Sequence, residues 1–313
     1  MKTVFPAISD ETRVRMLTPP DCKVDFVLDT DTYNEIDDQF ALVYALLSPE
    51  RLNVRAICAA PFFNSLSTSP KDGMEKSYDE ILRILSRMGV SPDGLVFKGS
   101  EGYLPDEDTP VESAAARRIV ELAGGHSAED PLYVAAIGAI TNVASALLLD
   151  PSIAEKMVLI WLGGHSFQWP HTREFNLIQD VAAARVVFGC GVPVVQLPCM
   201  GVVDHLTTTM PEVDTYVRGK GAIGDFLADT FKNCAADHFG YSRVIWDMTT
   251  IAWLVNPGSI STSLQHSPIV SYEGNYSFDP NRHLMLYAWH VSRDEIFRDF
   301  FRRLAGFAEK NNG

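Results

Sequence analysis

Two pairs of carboxylates stand near the start of the chain. Asp29 and Asp31 close the run Val27-Leu28-Asp29-Thr30-Asp31, and Asp37 and Asp38 follow after the five residues Thr32–Ile36. A loop of that length can fold both pairs into one site. Crowded carboxylates repel one another and resist burial unless a cation compensates. Oxygen-only ligands suit a hard ion such as Ca²⁺ or Mg²⁺, and no His or Cys cluster favours zinc. The competing reading makes Asp37 or Asp38 a simple helix cap, drawn to the positive N-terminal end. That reading leaves Asp29 and Asp31 without a role.

To position such a cluster, a strand must deliver one pair and a helix must open with the other. Val24–Leu28 is the strand candidate, and Asp37–Leu47 carries helically spaced Phe40, Leu42, Val43, Leu46 and Leu47. The plan repeats along the chain. Strands are expected at Val54–Ala60, Leu95–Lys98, Leu132–Ile137, Met157–Leu162 and Val192–Leu197. Helices are expected at Tyr78–Met88, Glu112–Ala123, Asn142–Leu149, Val181–Phe188 and Thr250–Val255. This alternation predicts an open, mainly parallel α/β sheet with helices on both faces, Rossmann-like in layout. Ligands collect at the carboxyl ends of such strands. The stretch 210–247 reads as helical and is expected to cover that edge. With no repeat or long linker, residues 1–313 read as a single domain.

The aspartate segment resembles the signature of the inosine-uridine nucleoside hydrolase family, in which DxD, a short loop and DD open the chain. The resemblance implies that Asp31 is general base and calcium ligand, Asp38 a ligand, Asp37 a ribose contact and Asp29 a support. The loop Thr32–Ile36 is longer than the family's, which offers Asn34 as a substitute ribose contact. Farther on, Asn64 matches an Asn that approaches the sugar. Ile137-Gly138-Ala139-Ile140-Thr141-Asn142 matches a segment whose residue before the Gly binds calcium through its carbonyl. As plain structure it is a strand-to-helix turn capped by Thr141 or Asn142.

Leu162-Gly163-Gly164 followed by Glu174-Phe175-Asn176 matches next; Glu174 and Asn176 would grip the 5′-hydroxyl, with Gln168 where the family has Asn. Trp246-Asp247 comes last, giving Asp247 as the final carboxylate ligand. Trp246 stands where the pyrimidine-accepting branch has a leaving-group His, as in the purine-preferring branch, where Trp stacks on the base. His165, His171 and His238 lie in loops and are the other candidate proton donors, each also readable as a surface or structural His. The resemblance thus implies calcium-dependent hydrolysis of a nucleoside, in purine metabolism and nucleoside salvage, by a homodimer or homotetramer. Two other classes compete: a calcium-dependent nucleoside- or ribose-binding protein without turnover, and a phosphotransferase of the haloacid dehalogenase type. The latter also opens on DxD, but it expects Thr or Val where this chain has Tyr33, and it has no use for the EFN or Trp-Asp segments.

Composition narrows the partners. The formal net charge is −14 and no basic run is present, which argues against nucleic acid. Cys22, Cys58, Cys190, Cys199 and Cys234 form no CxxC pair, so a reduced cytoplasmic setting is expected. The start MKTVFPAISDETRVRM lacks a secretory apolar core. The uncharged stretches 131–149 and 186–203 are broken by Gly, Pro and polar residues, so no membrane span is expected.

Overall fold

Short apolar runs such as Phe26–Leu28 and Met157–Leu162 need cover on both faces of a sheet. In the computed structural model, which describes residues 3–311, they have it. The chain runs through α1 (Asp10–Met16), β1 (Val24–Thr30), α2 (Asp37–Leu46), β2 (Leu52–Ala59), α3 (Pro70–Met88), β3 (Val96–Lys98), α4 (Ala114–Gly124), β4 (Leu132–Ala136) and α5 (Thr141–Leu149). It continues with β5 (Met157–Leu162), α6 (Phe175–Gln179), α7 (Val181–Gly189), β6 (Val194–Leu197), β7 (Thr207–Thr208), α8 (Met210–Tyr216), α9 (Gly221–Asn233) and β8 (Arg243–Val244). The last part holds α10 (Met248–Val255), β9 (Ile260–His266), β10 (Ile269–Val270), β11 (Tyr276–Ser277), β12 (Leu284–Val291) and α11 (Arg293–Asn311).

Eight strands form the central sheet in the order β3-β2-β1-β4-β5-β6-β12-β9, all parallel except β9, which is antiparallel to β12. Phe26 and Leu28 of β1 enter one core with Phe40, Trp253 and Phe300; Val27 enters the other with Ile119, Trp161 and Val187. Two cores, one on each face, are what the alternating plan requires. Strand order reverses between β1 and β4. That switch point opens a crevice at the carboxyl ends of both strands.

Two local expectations change. Helix α3 begins at Pro70 rather than Tyr78, because Ser69 caps it by accepting the Asp72 N–H and Pro70 suits the first turn. Its first turns are polar, so apolar spacing did not mark them. At α5 neither Thr141 nor Asn142 caps the helix: Thr141 bonds Asp180, and Asn142 reaches Asp29. Among the described residues no helix is long and apolar enough to cross a membrane.

Candidate active site

Strand β1 brings Asp29 to its carboxyl end and leaves Asp31 just beyond, both buried. Helix α2 opens with Asp37 and Asp38, also buried, and its N-cap position is Ile36, with no side-chain cap bond. The capping alternative therefore fails for this pair: the carboxylates turn into the crevice. Asp247 arrives from the start of α10. Asp31, Asp37, Asp38 and Asp247 line one cavity of about 240 Å³, together with Ile137 at the end of β4 and Leu162 at the end of β5. One oxygen each from Asp37, Asp38 and Asp247 lie within 4.8 Å of one another. Two oxygens on one calcium ion are separated by at most about 5 Å, twice the usual bond length. Asp38 lies close enough to both Asp31 and Asp247 to share a proton with either, so Asp31 belongs to the same group.

The electrostatics of this cluster demand compensation. Burial first, then neighbouring carboxylates, push Asp31 well above the carboxylate range. Burial, with Asp37 and Asp38, does the same to Asp247. Asp37 rises through burial and Glu35, a rise that Arg243 opposes. Asp38 is pushed up to about 7 by burial, although Thr30 donates to its Oδ1 at 2.5 Å. Asp31 Oδ2, Asp37 Oδ1 and Asp29 Oδ2 are buried without a hydrogen-bond partner among the described residues. Arg243, paired with Glu35 at 2.7 Å, offsets only part of this charge. Orphaned buried oxygens in a hard-donor set fit a divalent cation held by carboxylates and the Ile137 carbonyl.

Asp29 stands behind the cluster. Its Oδ1 accepts from Asn142 Nδ2 at 2.7 Å, and Asn142 also donates to the Ala59 carbonyl and accepts from the Ser100 backbone N–H. One amide thus ties the ends of β1 and β2 to the segment after β3. Reading Asn142 as a cap concealed this role. Gly138 is also required here, since a Cβ would lie 2.9 Å from Asp31 Oδ1 and 3.1 Å from Ala60 Cβ. Gly138→Ala is expected to displace the Asp31 carboxylate and lower kcat at least about tenfold with the fold intact. Wild-type kcat in a steady-state assay would refute this.

The remaining candidates divide. Asn34 lines the cavity, and its Oδ1 accepts from Asn64 Nδ2 at 2.6 Å, so Asn64 supports Asn34 rather than facing the cavity itself. Glu174 and Asn176 line the wall. Glu174 caps α6, its oxygens accepting N–H groups of Gly164, Asn176 and Leu177, and burial pushes it up to about 7. Asn176 Nδ2 donates to the Ile137 and Leu162 carbonyls, which fixes both strand ends. Gln168 is exposed and does not line the cavity, because the segment after Gly164 carries it outward. Half-buried Trp246 lines the cavity and also packs on the core. His165 lines the cavity with His171 5.6 Å from it, whereas half-buried His238 stacks on Phe231, away from the cavity lining. Glu35, Arg173, Phe175, Cys199 and Met200 also line it. Glu35 lies in the Thr32–Ile36 loop and Phe175 inside the EFN triplet, and none of the five was assigned a role from the sequence.

The comparison with known proteins agrees with this arrangement. The sequence model of the family described as "Inosine-uridine preferring nucleoside hydrolase" matches residues 26–285. The chain belongs to that family. This nucleoside hydrolase is therefore an enzyme that hydrolyses ribonucleosides, in a family that is metal-dependent. It is 27% identical over 270 residues to the pyrimidine-specific ribonucleoside hydrolase RihA of Klebsiella pneumoniae (strain 342), covering 77% of this chain and 83% of the relative. RihA of Escherichia coli (strain K12) is 28% identical over 276 residues, with the same coverage. Among solved structures, the purine-preferring ribonucleoside hydrolase from Gardnerella vaginalis superposes with a TM-score of 0.74 at 23% identity. That match covers 91% of this nucleoside hydrolase and 99% of the other chain, and it shows the shared fold.

Proposed function

We propose that this enzyme cleaves the N-glycosidic bond of ribonucleosides in a calcium-dependent manner, with purine nucleosides preferred. One observation carries the reading: four buried carboxylates converge on the cavity at the β1/β4 switch point, some with oxygens that no group among the described residues satisfies. Asp31, Asp38, Asp247 and the Ile137 carbonyl would hold the ion. When bound, it would supply Lewis acidity that makes water easier to deprotonate.

The chain's own residues supply the rest. Asp31 accepts the proton of the attacking water as the bond to the base breaks. Asp37, with Asn34 braced by Asn64, holds ribose hydroxyls, and Glu174 and Asn176 hold the 5′ end. The carboxylates favour the positive charge that develops on the sugar, as in glycoside hydrolysis. Trp246 offers a π face to the base, which supports the purine assignment. The same proposal treats residues 1–313 as one domain with its active-site edge covered by 210–247, working in the cytoplasm as a homodimer or homotetramer.

Ribose release from inosine, guanosine, adenosine, uridine and cytidine, before and after chelation, tests it. Chelation is expected to lower kcat/KM by about a hundredfold or more, with recovery on adding Ca²⁺. Uridine turned over faster than inosine would overturn the base assignment alone. Tight nucleoside binding without release would indicate the binding-protein class, and magnesium-dependent phosphate release the phosphotransferase class.

A further inference from the structure

His165 follows Gly163-Gly164 at the end of β5 and is only 8% exposed, yet it lines the cavity. The Met200 backbone N–H donates to its Nδ1 at 3.3 Å. An accepting Nδ1 carries no proton, so in the neutral ring the hydrogen sits on Nε2. Nε2 has no hydrogen-bond partner among the described residues. Trp169 and His171 pack the ring at 6.0 and 5.6 Å, which restricts its orientation. Burial, then His171, lower its pKa to about 4, so the ring stays uncharged at neutral pH and is a donor rather than an acid.

Its neighbours suggest what it meets. The Gly164 N–H is bonded to Glu174 Oε2, and the Cys199 N–H donates to the Gly164 carbonyl. His165, Glu174 and Cys199 therefore share one wall. That wall offers a carboxylate acceptor beside an N–H donor. An alcohol meets both at a single atom, donating its O–H to one and accepting from the other. The lactam edge of a base also carries a donor and an acceptor, but on two separate atoms, and the 5′-deoxy comparison below separates the two.

We propose that His165 is a substrate-positioning residue that donates from Nε2 to the 5′-oxygen of the riboside, while the 5′ O–H donates to Glu174. The chain thereby selects ribosides that keep a free 5′-hydroxyl over their 5′-deoxy counterparts. This rests on the ribohydrolase reading above.

The test crosses two variants with two substrate pairs: wild type, His165→Ala and His165→Gln, on inosine and 5′-deoxyinosine and on uridine and 5′-deoxyuridine. His165→Ala should lower kcat/KM on the parent nucleosides roughly ten- to a hundredfold. On the 5′-deoxy compounds it should act by less than about twofold, because the partner oxygen is already absent. His165→Gln, which keeps an N–H donor, should recover most of the loss. An equal loss on both members of a pair would overturn the assignment, because a base contact or a structural role gives that result. Failure of the ribohydrolase reading shows separately, as no ribose release by wild type from any of the four. The same coupling is then read from dissociation constants by calorimetry, where an equal ratio for each pair again overturns it.

Discussion

Asp31→Asn is expected to lower kcat on the preferred nucleoside by on the order of 10³-fold at saturating Ca²⁺, with the fold retained. Asp31 sits just past the end of β1, its backbone carbonyl accepts the Asn34 N–H at 2.7 Å, and its Oδ2 has no protein partner. Asn has the same shape, so the backbone bond and the Gly138 contact survive. The basic oxygen is lost, and with it the charge of one cation ligand, which saturating Ca²⁺ offsets. Charge relief makes the control informative: Asp31 is held well above its ordinary pKa by burial and by Asp38 and Asp37, so the uncharged amide removes repulsion. The metal-free variant should therefore melt no lower than metal-free wild type at pH 8. Steady-state kinetics with a parallel thermal melt separates the outcomes. A kcat within tenfold of wild type would remove Asp31 from the role of base; a collapsed melting temperature would mean that the loss reports unfolding.

Strands β1 to β6 were legible because apolar runs of strand length alternate with helical spacing, and both signals come from burial; β12, whose run LMLYAWHV includes exposed Trp289 and His290, was not expected. The antiparallel edge strand β9 was not either, since its burial is partial and its residues, ISTSLQH, are mostly polar. In the site, Asp29, Asp31, Asp37 and Asp38 stood out because carboxylates after an apolar strand need an explanation. Asp247 and Ile137 were reached only through resemblance: one Asp is ordinary, and a main-chain carbonyl has no sequence signature. Gln168 shows the limit of that route, since matching by spacing set it beside the sugar while the chain carries it outward. Asn142 was read as a cap and His165 only as one of three loop histidines, for a different reason. Their roles depend on which ring nitrogen or amide atom is already occupied, and only packing decides that.

Removing the cation should make the protein's stability depend steeply on pH, in the direction opposite to simple acid denaturation. Burial pushes Asp29 up to about 7, even though Asn142 hydrogen-bonds it, and pushes Asp38 to about 7 as well. Unfolded aspartates titrate near 3.9. Between about pH 4 and pH 7 the folded, metal-free chain thus binds more protons than the unfolded one, and stability falls as pH rises. Each such carboxyl contributes about 1.4 kcal/mol per pH unit across that window. Below it both states are protonated and the stabilisation is complete; above it the stabilisation is gone. Calcium reverses the slope, because it binds the ionised carboxylates that protons otherwise occupy. At about a thousand times its dissociation constant it contributes about 4 kcal/mol, on the order of 5–10 °C in melting temperature. Melts of chelated and calcium-loaded protein should therefore nearly coincide at pH 5 and diverge by that amount at pH 8. Asp247→Asn, which removes one of the buried charges, should flatten the chelated curve. Equal melting temperatures for the chelated protein at pH 5 and pH 8 would mean that the cluster is already neutralised within the chain, and the case for a resident cation would fall with it.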